Sequence, residues 1–429
     1  MAEQIIHDAN KFISQGKTKE ALEFLATQLD EVTTNADKLD ILSALSELFA
    51  QLGETEDAVK YLDMALKLLD ESGMGTEDYT VTKAMLLGDK AKMLVNKSTH
   101  EDAISTFDEA INLLEALKIE DELISYQIAE YLYFKGSSFH NTGKFFEAKK
   151  TLKSSIETLE KLAEKDSRQY LPMLAEAQHE LGQVYDSDND LHNAFIYYKY
   201  SSMSYQRLPK KDQEEYKGVV AAVYNNMAVT QKRLDNPGKA VENYNLTLKY
   251  YQELADKEPD VFRPYLAATL NSIGVLYTEM ANKKKGVSFY KEALGIYELL
   301  EEQEPGLYKH YMATTTHNLG VIHDEMKEHE NALKYYEKAL EMRKALAEKE
   351  PIAFNMDVCV TLLNIITLYH TQTEKSKSLD YRENALELIS EAERRLQLIE
   401  SDKPVIKSMK SDVEYFREFF EEITTEKLN

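Results

Sequence analysis

His317, His323 and His329 stand six residues apart in the stretch HNLGVIHDEMKEHENALKYYEKAL, residues 317–340, among five acidic side chains. Imidazoles and carboxylates at that density could hold a metal ion or exchange protons with a substrate. Helix geometry argues against both. At 100° per residue, His317 and His323 point about 120° apart, and His329 falls at or beyond a turn. No His-x-x-x-His pair with a suitable third ligand occurs elsewhere, so neither a metal nor a cofactor is expected. The stretch SQGKT at 14–18 ends like a phosphate-binding loop, but Lys11 stands where that loop needs its first glycine. Cys359 and His370, if helical, share a face yet lie three turns apart, about 16 Å, too far for a nucleophile–base pair. No catalytic residue is assigned, and the chain is expected not to be an enzyme.

What positions these residues is a repeat. Gly320 is preceded at steps of 46 by Gly274, Ala228, Gly182 and Gly136, then at shorter steps by Ala91, Ser46 and Ala9, and followed by Ile366. Twelve residues after each comes a second, mostly small residue: Ala21, Ala58, Ala103, Ala148, Ala194, Ala240, Gly286, Ala332 and Ser378. Seven further on comes a third: Gln28, Ala65, Ala110, Ser155, Ser201, Thr247, Ala293, Ala339 and Ala385. Apolar residues flank the first small residue at helical spacing, as Leu270, Ile273 and Tyr277 do around Gly274. Seven after it comes a turn signal: Gly16, Gly53, Ser98, Gly143, Asn189 or Asp235. Small residues two turns apart on the second helix let a neighbouring helix approach closely, with Leu62, Phe107, Leu152, Tyr198, Tyr244, Tyr290 and Tyr336 between them. Each unit is therefore two antiparallel helices. His323 occupies a position that tyrosine or phenylalanine fills in most units, and is expected to pack.

This pattern resembles the tetratricopeptide repeat family over roughly residues 3–400. The usual unit is about 34 residues. Most units here are longer, with the surplus near proline-bearing connectors such as KEPDVFRPY and EKEPIAFNM. In that they are similar to the extended units of kinesin-light-chain-like bacterial proteins. The resemblance implies an all-α, right-handed superhelical solenoid of about nine helix-turn-helix units. It spans 1–403 as one continuous array, with 404–429 as a capping helix carrying Val405, Met409, Tyr415, Phe416, Phe419 and Phe420.

Composition sets the class of partner. Seventy-five acidic against 51 basic side chains give a net charge of −24, unsuited to nucleic acid and open to a basic partner. No apolar run is seen that approaches bilayer length, and MAEQIIHDANKF has neither the basic start nor the apolar core of a signal peptide. One cysteine excludes an intrachain disulfide framework. A cytoplasmic protein is expected, with no membrane partner.

In the resembled family, first helices line a concave groove. Two and three places before the small residue the later units carry His179 and Glu180, Asn225 and Asn226, Asn271 and Ser272, His317 and Asn318, then Leu363 and Asn364. Asparagine is a poor helix former, and its amide both donates and accepts. The resemblance implies that such a row pairs with the backbone of an extended peptide. The candidate groove residues are His179, Asn225, Asn226, Asn271, His317, Asn318 and Asn364, with Arg233 further along its helix. The expected function is a non-enzymatic interaction scaffold that binds a partner protein or an extended peptide. Two alternatives are a peptide-sensing regulator that acts by closure of the superhelix, and a structural subunit of a larger complex.

Overall fold

The computed structural model describes residues 1–429 apart from 74, 400, 402 and 424–429. Among the described residues there are helices and no strand, and consecutive helices pack on one another from Ala2 to Gln206 and again from Lys217 to Glu422. Two compact units form, Met1–Tyr216 and Lys217–Asn429, dividing inside the 1–403 stretch through which the repeat runs. The first unit holds five pairs: α1 (Ala2–Ser14) with α2 (Thr18–Glu31), α3 (Asn35–Gln51) with α4 (Thr55–Asp70), α5 (Thr76–Asn96) with α6 (His100–Ala116), α7 (Glu122–Asn141) with α8 (Phe145–Lys165), and α9 (Ser167–Ser187) with α10 (Leu191–Gln206). A single turn, α11 (Lys210–Gln213), follows. The second unit holds α12 (Lys217–Arg233) with α13 (Pro237–Ala255), α14 (Pro259–Glu279) with α15 (Lys283–Gln303), α16 (Lys309–Glu325) with α17 (His329–Lys349), α18 (Pro351–Ser376) with α19 (Arg382–Gln397), and α20 (Pro404–Glu422).

Local chemistry sets the helix ends. The Thr34, Asp121, Asp166 and Asp190 side chains accept hydrogen bonds from backbone N–H groups three residues on, and Pro237, Pro259, Pro351 and Pro404 open helices where no N–H is missed. Every turn signal read from the repeat lies in the left-handed region: Gly16, Gly53, Ser98, Gly143, Asn189 and Asp235 have φ from 56° to 77°. Ala281 and Lys327 take the same conformation at the same place, although they have a Cβ. The tight reversal outweighs their intrinsic preference, which costs about 1–2 kcal/mol.

The small residues meet large ones across each pair. A Cβ added to Gly274 would sit 2.7 Å from the Tyr290 ring, and one on Gly320 2.5 Å from Tyr336; Gly182 stands likewise against Tyr198 and Gly136 against Leu152. These large partners are almost wholly buried, so the glycines make room for them. Ser155 and Thr247, third-series residues, donate to the carbonyls of Ala129 and Ala221 on the neighbouring first helix. Their hydroxyls are satisfied without opening the contact.

The last pair departs from the pattern. Its left-handed residue is Lys377, eleven after Ile366 instead of seven, so α18 runs a further turn. At 26 residues α18 is also long and apolar enough to cross a membrane, contrary to the sequence reading. That reading sought an unbroken apolar run, which Thr361, Asn364 and Thr367 interrupt without making the helix polar on average. Its apolar residues, Cys359, Leu362, Ile365 and Ile366 among them, pack in a core with α19 and α20. Helix α20 covers that core with Ile406, Met409, Val413, Phe416 and Phe420, whereas Val405 and Tyr415 face solvent. Residues 424–429 of the expected cap lie outside the described residues.

Candidate binding face

Two and three places before the small residue, each first helix presents side chains beside the core stripe. In the second unit the amides there divide into two kinds. Asn271 accepts at Oδ1 from Thr315 Oγ1 at 3.2 Å, and Asn364 Nδ2 stands 3.2 Å from His317 Nε2. Both bonds reach the first helix of an adjacent repeat. Asn225 and Asn318 are half-buried and make no side-chain hydrogen bond to another described residue. Asn226 is half-buried too and holds a partner within the chain.

His317 lies inside the packing, 6% exposed, against the Tyr336 ring. Its Nε2 accepts from Asn364, which leaves Nδ1 to donate to Thr361 Oγ1 at 3.3 Å. Burial first, then the nearby Arg343 guanidinium, pushes its pKa down to about 3. Arg343 itself donates to Asp357 O and Thr361 Oγ1. His317 is thus a neutral member of a buried network, out of reach of a groove ligand. His323 packs as its repeat position predicts, stacked on Tyr335 with Nδ1 2.7 Å from Glu328 Oε2. Among the described residues no group of three or more His, Cys, Asp or Glu stands together as a metal site.

In the first unit, burial lowers the pKa of His179, which lies 5.5 Å from the Tyr198 ring. Glu180 beside it is taken by His140 Nδ1 at 3.0 Å. Arg233, at the C-terminal end of α12, is exposed and has a partner within the chain.

The sequence reading missed a row one turn further back. Six places before the small residue stand Glu3, Asp40, Glu130 and Glu176, with Met85 between them in the series. Asp89 and Glu47 join them from neighbouring positions. Glu3, Asp40, Glu47 and Asp89 line a groove of about 830 Å³. Crowding by protein raises the pKa of Asp40, Asp89 and Glu176, and the neighbouring carboxylates add to it: Asp37 and Glu3 for Asp40, Glu130 and Glu47 for Asp89, Glu130 for Glu176. Lys92 opposes this locally, 2.6 Å from Glu130 and 3.9 Å from Asp89. Counting the same offset at six as well as at two and three would have found the row. At the equivalent place the second unit has Ala222, Ala268, Thr314 and Val360.

Comparison with known proteins agrees with this architecture. No curated protein matches the sequence. Among solved structures, the apo form of RapI is similar at a TM-score of 0.59 and 14% identity, over 92% of this chain and 98% of that one. The apo form of the quorum sensor NprR from B. thuringiensis is similar at a TM-score of 0.52 and 13% identity, over 80% and 87%. Residues 312–351 match the tetratricopeptide repeat model. That match lies on the α16–α17 pair, and the other helix pairs along each unit are built the same way.

Proposed function

We propose that this chain is a non-enzymatic interaction scaffold whose first-helix face binds an extended segment of a partner protein. The observation that carries the reading is the pair Asn225 and Asn318. Both are half-buried helical amides without a side-chain bond to another described residue, where the poor helix propensity of asparagine has no structural return. Each can donate to and accept from a peptide backbone. A cytoplasmic location goes with this reading, since the sole cysteine, Cys359, is a free thiol. Burial pushes that thiol up to about 11, which leaves it no use as a nucleophile at neutral pH.

The test uses a partner recovered from the native host, with wild type and Asn225→Ala/Asn318→Ala compared by calorimetry and thermal melting. At roughly 0.5–1.5 kcal/mol for each lost hydrogen bond, affinity should fall about five-fold or more while the fold survives. Unchanged affinity would remove these amides from the binding surface. A second reading, a regulator that senses a small peptide, is favoured by the fold shared with the quorum sensor NprR over 80% of this chain. Under it, a short isolated peptide binds as tightly as the whole partner.

A further inference from the structure

The acidic row of the first unit has little basic charge to neutralise it. Elsewhere in that unit, several acids pair with a lysine from a neighbouring repeat: Asp63 with Lys90, Glu56 with Lys97, Glu101 with Lys144, Asp108 with Lys135 and Asp188 with Lys149. Along the row, Lys92 alone among the described residues stands within ion-pair distance. Burial first, and repulsion from neighbouring carboxylates after it, hold three carboxyls above their ordinary range.

An independent observation lies at the α9 end of the row. Tyr205, from α10, is 1% exposed, and its hydroxyl has no hydrogen-bond partner among the described residues. Burial raises its pKa most, and Glu176, Tyr216 and Tyr133 are close enough to raise it further. The Tyr205 and Tyr216 rings lie 5.3 Å apart, and Tyr126, whose pKa is raised by burial and then by nearby Glu130 and Glu176, pairs with Tyr170 at 5.4 Å. A buried hydroxyl left unbonded costs free energy, as does a carboxylate crowded by others. One group relieves both: a cation with several N–H donors, seated among aromatic rings.

We propose that the first-helix face of the Met1–Tyr216 unit binds a basic segment of a partner protein, with one arginine or lysine side chain seated between Glu176, Tyr205 and Tyr133. Further basic residues pair with Glu130, Asp89 and Asp40. First helices packed about 10 Å apart and an extended chain rising about 3.3 Å per residue call for a basic residue at every third position. This rests on the reading of the chain as a scaffold and adds the chemistry of the partner.

The test titrates the full chain with a nine-residue peptide repeating Arg-Gly-Ser, against the same peptide with glutamine for arginine. The arginine peptide should bind at low salt and the glutamine peptide should not. Asp89→Asn/Glu176→Gln should weaken binding about tenfold or more, and Tyr205→Phe, which deletes only the hydroxyl, about threefold. A control, Glu147→Gln/Glu164→Gln on exposed sites of α8, removes the same charge and should change little. The Asp89→Asn/Glu176→Gln variant should also melt no lower than wild type, since it relieves repulsion. Equal binding of both peptides, no binding of either, or equal weakening by the control pair would each overturn the assignment. If the arginine peptide fails while the host partner still depends on Asn225 and Asn318, this inference falls and the scaffold reading stands. If that partner ignores both sets of substitutions, the face itself is wrong.

Discussion

His317 shows at the residue scale how one position can look functional and be structural. With a pKa of about 3 folded and 6.5 ordinarily, the imidazole stays neutral in the fold while the unfolded chain takes up a proton. Its contribution is therefore constant above pH 6.5 and is lost as pH falls below it. The slope is about 1.4 kcal/mol per pH unit, or roughly 2 kcal/mol by pH 5. Urea melts at pH 7.5 and 5.0 should show wild type losing about that much more than His317→Gln; equal losses would mean that His317 is protonated in the fold. Glycines give a second contrast. Gly274→Leu forces a side chain into the Tyr290 ring and should cost roughly 1–3 kcal/mol. Gly295→Ala, in α15 with nothing within 4 Å, should stabilise by about 0.5–1 kcal/mol. If both melt alike, close approach is not what selects the small residues. The small residues were legible because their spacing recurs in every unit. The Asn364–His317 and Asn271–Thr315 bonds were not, because they join residues 44 and 47 apart through side-chain rotamers that no spacing rule specifies.

At the scale of elements, periodicity located the helix pairs and the turns almost to the residue, since a tight reversal allows only one left-handed position. It failed at the last pair for a physical reason. Ser378 stands where the other units place their second small residue, yet α18 continues to Ser376 and α19 begins only at Arg382. Helix α20 is what this irregular pair packs on. Phe416, Phe419 and Phe420 surround the His370 ring, and Arg382 Nε donates to the Phe420 carbonyl at 2.7 Å. Ending the chain at Lys403 would uncover the apolar sides of α18 and α19 together. A contiguous patch of that kind drives association. Light scattering after size exclusion should find the truncated chain in larger species than the full chain at the same concentration. A truncated chain of unchanged size and solubility would show that α20 is not the cover of this core.

At the scale of the whole molecule, a net charge of −24 can act in either of two directions. Repulsion among excess carboxylates destabilises the compact state. Opposing it are ladders of lysine–carboxylate pairs between successive repeats, such as Lys97 with Glu56 and Lys338 with Glu298. Each exposed pair contributes only about 0–1 kcal/mol, and salt screens it. Salt screens the repulsion as well, with the Debye length falling from roughly 30 Å at 0.01 M to about 8 Å at 0.15 M. Repulsion sums over many distant charges, whereas each pair loses only part of a short-range contact. The melting temperature should therefore rise between 0.01 and 0.15 M sodium chloride. The rise should be smaller in Asp89→Asn/Glu176→Gln, because neighbouring carboxylates add to the raised pKa of both Asp89 and Glu176. A second salt series separates the two faces. Affinity for an arginine peptide on the carboxylate row should fall steeply over the same range, while contacts made through neutral Asn225 and Asn318 should change little. A melting temperature that falls with salt would mean that the inter-repeat pairs outweigh the repulsion. The carboxylate row would then cost the fold too little to need a ligand's relief.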